Sequence, residues 1–215
     1  MRLCLESKHD LIDYWSNCLI KVSHSVLAAC VVLGLAANAQ AAPKPADKAL
    51  EPNAEGFLTL YIGLCMNHLS DLQALRTNLL RGEAPKLPPE SAARFLNGLP
   101  GDAWPVPYKG KLGNYVVALP AGNNMCTLHA RHADPATVER AFLKVVDKAP
   151  APLVAKRGKS QERQGGAAGK LRTLSATWVQ PGADRRMQFM VTTAASDKAG
   201  RQAVGSVAIV TDPKP

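Results

Sequence analysis

Apolar positions along the chain follow two rhythms, a helical one in the first part and one dominated by period two in the second. Phe57, Leu60, Tyr61, Leu64, Cys65 and His68 recur at helical spacing. This predicts a helix from Asn53 to His68 with Cys65 on its core-facing stripe. Ser70-Asp71 reads as the cap of a second helix carrying Leu72, Leu75, Leu79 and Leu80 and closed by Gly82. A third, short helix follows Leu87-Pro88-Pro89-Glu90, where proline suits a first turn, and ends at Asn97-Gly98.

From Trp104 the period falls to two. Residues 114–119 and 125–131 read as strands joined by a hairpin turn at 120–124. Asp134-Pro135 then opens the clearest helix of the chain, with Val138, Phe142, Val145 and Val146 as its buried stripe and Ala149-Pro150 as its stop. Residues 152–157, 171–180 and 186–193 read as further strands, the last two joined by a turn at 181–184. Ser196-Asp197 reads as the cap of a final helix reaching Val204 or beyond, although Ser206–Val210 is apolar enough to form a strand instead. The fold class expected is α+β: an antiparallel sheet of about five strands covered by helices.

Before these elements the chain is of another kind. Residues 25–41 form an apolar run of secretory length that finishes in Ala39-Gln40-Ala41, so residues 1–41 read as a signal peptide cleaved before Ala42. The run is too short and too interrupted, by Asn38 and Gln40, to stay as a membrane anchor. Leu27-Ala28-Ala29-Cys30 resembles a lipobox but precedes the best of the apolar run instead of following it. Glu6, Asp10 and Asp13 are unusual in a leader and suggest a translation start nearer Leu19. A Pro/Ala/Lys-rich linker over 42–52 and a single domain over 53–212 complete the expected organisation, with a periplasmic or secreted destination.

Export changes the meaning of the cysteines and leaves the charge as it was. Cys4, Cys18 and Cys30 fall in the leader, which leaves Cys65 and Cys126 as one pair. In an oxidising compartment that pair is most simply a disulfide, tying the first helix to the second predicted strand. Arg2, Lys8 and Lys21 balance Glu6, Asp10 and Asp13, so the mature chain keeps the net charge of +9. Much of the excess lies in 156–172, where Lys156, Arg157, Lys159, Arg163, Lys170 and Arg172 face Glu162 alone. The plain reading is a solvated loop with a flexible tip at Gly165–Gly169. The functional reading is attraction to an acidic protein face or an anionic envelope component, with Arg131, Arg185 and Arg186 extending the surface. No aromatic residue interleaves these charges, so nucleic acid is not the expected partner.

Catalytic grammar is missing. No nucleophile elbow occurs, and the glycine-rich 165–169 lacks the ending of a phosphate loop. His129-Ala130-Arg131-His132 is the most site-like tetrapeptide, but on a strand His129 and Arg131 point away from Cys126 and share no face with His132. Metal ligation is therefore disfavoured, no cofactor is expected, and His68 on the apolar stripe reads as structural. A hydrolase using His129, Arg131 and Asp134 is the enzymatic alternative, and a purely structural envelope role is a third.

Several pieces occur in a telling order: Phe57 with Cys65, Leu87-Pro88-Pro89-Glu90, Pro100-Gly101-Asp102-Ala103-Trp104, and Cys126 in a strand. Ala130-Arg131-His132-Ala133-Asp134 before a helix with Phe142, Thr192-Thr193-Ala194-Ala195-Ser196 and Gln202-Ala203 follow. In this order the chain resembles a family of small exported proteobacterial proteins of unknown function. The resemblance implies an α+β fold and a Cys65–Cys126 bridge, and it implies no reaction. Where that family would carry an arginine, this chain has His132. The expectation for function is an exported binding or accessory module that docks on an acidic partner as an inhibitor or immunity factor.

Overall fold

A computed structural model describes residues 50–211 apart from 83 and 123. The expected signal peptide and residues 42–49 of the expected linker lie outside the described residues. Helix α1 (Pro52–Leu60) runs directly into a π-helical turn (Tyr61–Met66), followed by α2 (Leu72–Leu80) and α3 (Pro89–Leu96). Strands β1 (Gly101–Tyr108), β2 (Lys111–Pro120) and β3 (Met125–Ala130) precede α4 (Pro135–Val146). Strands β4 (Val154–Arg157), β5 (Gln161–Gln164), β6 (Lys170–Val179), β7 (Arg185–Ala194) and β8 (Ala203–Thr211) follow.

The fold is α+β with an antiparallel sheet, but the sheet has eight strands where about five were expected. Its order is β1-β2-β3-β8-β7-β6-β4, with β5 also on β6. The missed strands have physical reasons. Strand β1 carries Pro105 and Pro107, which an edge strand tolerates because one side of its backbone needs no partner. Strand β5, Gln-Glu-Arg-Gln, is wholly exposed and has no apolar rhythm. Strand β8 replaces the final helix expected from Ser196. Ser196 caps only a turn, accepting from Lys198 N at 3.1 Å, and the Val-rich segment after it fills the slot between β3 and β7.

Alternation along these strands builds the core. Tyr115, Val117 and Leu119 of β2, Cys126 and Leu128 of β3, Val207 of β8, Phe189 and Val191 of β7, and Leu174, Ala176 and Trp178 of β6 all point to one face. Helices α1 and α4 cover that face through Phe57, Tyr61, Val138, Phe142 and Val146. The α1 stripe was expected to continue as one α-helix to His68. The wider π turn instead keeps positions four apart aimed inward, so Phe57, Tyr61, Cys65 and Leu69 are buried while Leu60 and Leu64 are only half-buried. His68 Nδ1 lies 3.1 Å from Gly63 O and 3.2 Å from Leu64 O, on the carbonyls of that turn, which is a structural position.

Close approach explains Gly205. A Cβ there would stand 2.9 Å from Phe57 and 3.1 Å from Tyr61, so only glycine lets α1 lie flat on β8. The Tyr61 hydroxyl then donates to Ser206 O at 2.7 Å, and burial pushes its pKa up. Asp134 caps α4 by accepting from Thr137 N at 2.8 Å, and Trp178 Nε1 closes the other end of that helix on Val146 O at 2.6 Å.

The disulfide joins Cys65 in the π turn to Cys126, which lies in the third strand because β1 precedes the two predicted ones. Both cysteines are fully buried and 61 residues apart in sequence. Closing a loop of that length removes about 4 kcal/mol of unfolded-state entropy. The Cys65→Ser/Cys126→Ser protein should therefore melt on the order of 10 °C lower. Thermal denaturation followed by circular dichroism checks this, and an unchanged Tm would rule out the bridge as a main support of the fold.

Candidate functional site

Among the described residues, α3 is the one α-helix that lies on the second face of the sheet. Its Ala92 and Leu96 pack on Ala103 of β1 and Ala118 of β2, with Val116 and Phe95 alongside. Over β8, β7, β6 and the β4/β5 edge no helix among the described residues covers this face. Cross-strand partners share a face, so the register names its occupants. They include Val204, Ser206, Ala208 and Val210 of β8, and Arg186, Gln188, Met190 and Thr192 of β7. Thr173, Ser175 and Thr177 of β6 follow, and then Lys156 of β4 with Gln161 and Arg163 of β5. No strand position on this face holds a carboxylate.

The same register divides the basic segment. Residues 154–164 form one broken edge strand along β6, with Gly158 N donating to Ser175 O between β4 and β5. The segment read as a loop is therefore mostly ladder. Arg157, Lys170 and Arg172 point to the helical side and are spent there. Arg157 clamps Asp147 with two N–H groups, Lys170 pairs with Glu162 at 2.7 Å, and Arg172 reaches Glu139 of α4 at 2.9 Å. The Arg157 hydrogen bonds hold the Asp147 carboxyl below its usual range, and Lys170 does the same to Glu162. Lys156 and Arg163 point the other way and have no partner among the described residues. Lys159 is exposed between β4 and β5, and Arg185 and Arg131 are exposed at strand ends. Charged side chains on β4 and β5 also blunt a free sheet edge against pairing with another chain, the plain structural reading of this run.

Where the uncovered face meets the end of α3 there is a cavity of about 370 Å³, lined by His129, Arg163, Leu171, Thr192, Arg201 and Asn97 among others. His129 is 2% exposed, and its Nε2 lies 3.0 Å from Phe95 O, the carbonyl of a residue near the end of α3. That nitrogen must be the donor, which leaves Nδ1 as acceptor for Arg201 Nη1 at 3.4 Å. Burial, and next the positive charge of Arg201, lower the His129 pKa from 6.5 to about 4. The Thr173 and Thr192 hydroxyls bond each other at 2.8 Å, which uses one proton and leaves one to donate.

Of the residues named from the sequence, the structure brings Arg163 and His129 to this cavity. Arg131 lines a smaller cavity of about 120 Å³ on another side of His129. Asp134 is occupied in capping α4, in the opposite layer, and its bond from Thr137 keeps its pKa low. His129, Arg131 and Asp134 make no hydrogen bond or ion pair with one another. His132 is exposed, its backbone clamped by Asn114 through N–H to Oδ1 at 2.8 Å and Nδ2 to O at 2.9 Å. Arg201, the best-held cation of the cavity, was not singled out because its segment read as a helix. Assigning residues 203–211 to a strand would have put it at a strand mouth. Among the described residues no group of three metal-binding side chains occurs, and no helix is long and apolar enough to cross a membrane. No family model matches the chain, and neither does a curated protein or a solved structure.

A neutral buried histidine makes folding pH-dependent in a definite direction. The unfolded chain binds a proton near pH 6.5 and the folded one only near 4, so this contribution to stability is full above 6.5 and is lost as pH falls towards 4. The full difference is about 3 kcal/mol. Urea unfolding at pH 7 and pH 4.5 should show a larger loss for the native protein than for His129→Gln. Equal losses in both proteins would show that His129 carries no such burden.

Proposed function

We propose that this chain is exported, begins at Ala42 once mature, and acts as a periplasmic or secreted binding module that docks on an acidic protein partner through the uncovered face of its sheet. The observation that carries this reading is the absence of any carboxylate at the strand positions of that face, where Lys156 and Arg163 stand among hydroxyl, amide and apolar side chains. On the opposite face Arg157, Lys170 and Arg172 are paired with Asp147, Glu162 and Glu139. In a chain of net charge +9, an acid-free stretch of sheet favours association with a negatively charged face and speeds the encounter. The resemblance in motif order to small exported proteobacterial proteins supports export, as does the pairing of Cys65 with Cys126 in a bond suited to an oxidising compartment. Inhibitor or immunity factor is the role that fits docking without catalytic grammar.

N-terminal sequencing of protein recovered from the periplasm should begin at Ala42, and recovery of the chain uncleaved in the cytoplasm would remove the export reading. For docking, Lys156→Glu/Thr177→Glu should weaken capture of an acidic periplasmic protein about tenfold at low salt. Arg81→Glu, at the C-cap of α2, should leave capture unchanged. Equal capture by all three proteins, or capture insensitive to salt, would refute docking on this face.

A further inference from the structure

Arg201 is held as few cations at a strand mouth are. Its Nη1 donates to Arg94 O at 2.8 Å and to His129 Nδ1 at 3.4 Å, and the guanidinium carbon lies 5.9 Å from the centre of the Phe95 ring. The loop that carries it is pinned on both sides. Ser196 N donates to Ala168 O at 3.1 Å, and Gln202 N to Ala130 O at 3.0 Å. The Gln202 side chain accepts from Ala133 N at 3.0 Å and donates to Ser196 O at 3.4 Å. The remaining donors, Nε and Nη2, have no acceptor among the described residues.

Part of the Arg201 charge serves the C-terminal carbonyls of α3, which a helix end welcomes. That role accounts for Nη1 and for no more of the fork. Arg163, on the far strand, lines the same cavity with no partner at all among the described residues, and no carboxylate lines it. Two guanidinium groups on one cavity disfavour each other unless an anion sits between them. The cavity's 370 Å³ lies at the small end of the ligand-pocket range, enough for a short acid or a chain terminus.

We propose that this cavity is a carboxylate-binding site in which the free edge of Arg201 holds the two oxygens, Arg163 supplies the second positive charge, and the spare Thr173–Thr192 proton provides a third donor. A planar carboxylate matches the arginine fork better than a tetrahedral anion does when only one edge is free. The carboxylate comes either from a docked polypeptide, as a side chain or C-terminus, or from a free organic acid. The inference rests on the docking reading above only for the first of these sources.

The test is titration of the native mature chain at low ionic strength, followed by NMR of the arginine Nε–H groups and by calorimetry. The probes are succinate, N-acetyl-diglycine, its C-terminal amide and inorganic phosphate. Succinate and the free-acid peptide should bind saturably and shift the Arg201 Nε–H signal, and the amide should not. Arg201→Lys should weaken binding about tenfold, since an ammonium cannot make the forked contact. Arg163→Gln, at an exposed strand position, should weaken it about threefold and reduce its salt dependence. If Arg201→Lys fails to fold, Arg163→Gln decides alone. Succinate binding unchanged by Arg163→Gln, binding of the amide equal to that of the acid, or phosphate binding tighter than succinate would each overturn the assignment. Lys156→Glu/Thr177→Glu should still bind succinate saturably and shift the Arg201 Nε–H signal, so loss of docking and loss of the pocket are read separately. Preference for the peptide over succinate points to a polypeptide source, and the reverse to a free acid.

Discussion

Because side chains alternate across β6, β7 and β8, a residue of this sheet either joins the core under α1 and α4 or reaches the uncovered face. That choice decides the chemistry of the molecule. Leu174, Ala176, Phe189, Val191 and Val207 take the first option and bury the apolar surface that holds the layers together. Thr173, Ser175, Thr177, Gln188, Thr192 and Ser206 take the second and stand there beside Val204, Met190, Ala208 and Val210. The same rule applied to β4 and β5 sends Arg157 and Arg172 towards Asp147 and Glu139, and Lys156 and Arg163 away from every acid of the sheet. A basic run with one apparent role in sequence has two in space.

Placement of β8 couples the fold to the cavity. Entering the sheet between β3 and β7, it aligns Val204 with His129 on one side and Thr192 on the other. Its first turn brings Arg201 over Phe95, and Gln202 fastens that turn to the end of β3. Gly205, two residues into the strand, lets Phe57 and Tyr61 close the opposite side. One strand thus carries contacts for both layers. The disulfide at Cys126, opposite Val207, secures the neighbouring strand against the π turn.

How far this was legible in the sequence depended on whether local signals and tertiary context agreed. Asp134-Pro135 with Val138, Phe142 and Val146 announced α4 because cap, proline and stripe all favour the same helix. The LPPE motif and Asn97-Gly98 framed α3 for the same reason, and both Asn97 and Gly98 adopt positive φ where the helix ends. Strand β1 hid behind two prolines, β5 offered no apolar residue, and β8 competed with a capping serine. The cysteine pair was readable by elimination. At the site, charge was legible in Arg163, but its direction was not, since orientation follows from a register that only pairing sets. Arg201 stayed hidden with the strand that positions it.

The uneven satisfaction of the cations carries the last step. Exposed ion pairs such as Lys86–Asp102 and Lys109–Glu55 cost little to form or lose, and they contribute little to either stability or recognition. Arg201 differs because its position is half-buried and fixed by a ring, a carbonyl and a neutral imidazole. Holding a guanidinium there without a carboxylate forgoes the stabilisation that an acidic neighbour would add, while the chain places such neighbours beside Arg157 and Arg172 a short way along the same sheet. Selection for stability alone would favour an acid near Arg201 as well. A cation that the fold orients and leaves without a carboxylate is better accounted for by an anion that arrives from outside, and the neutral state of His129 keeps the acceptor that aligns it at neutral pH.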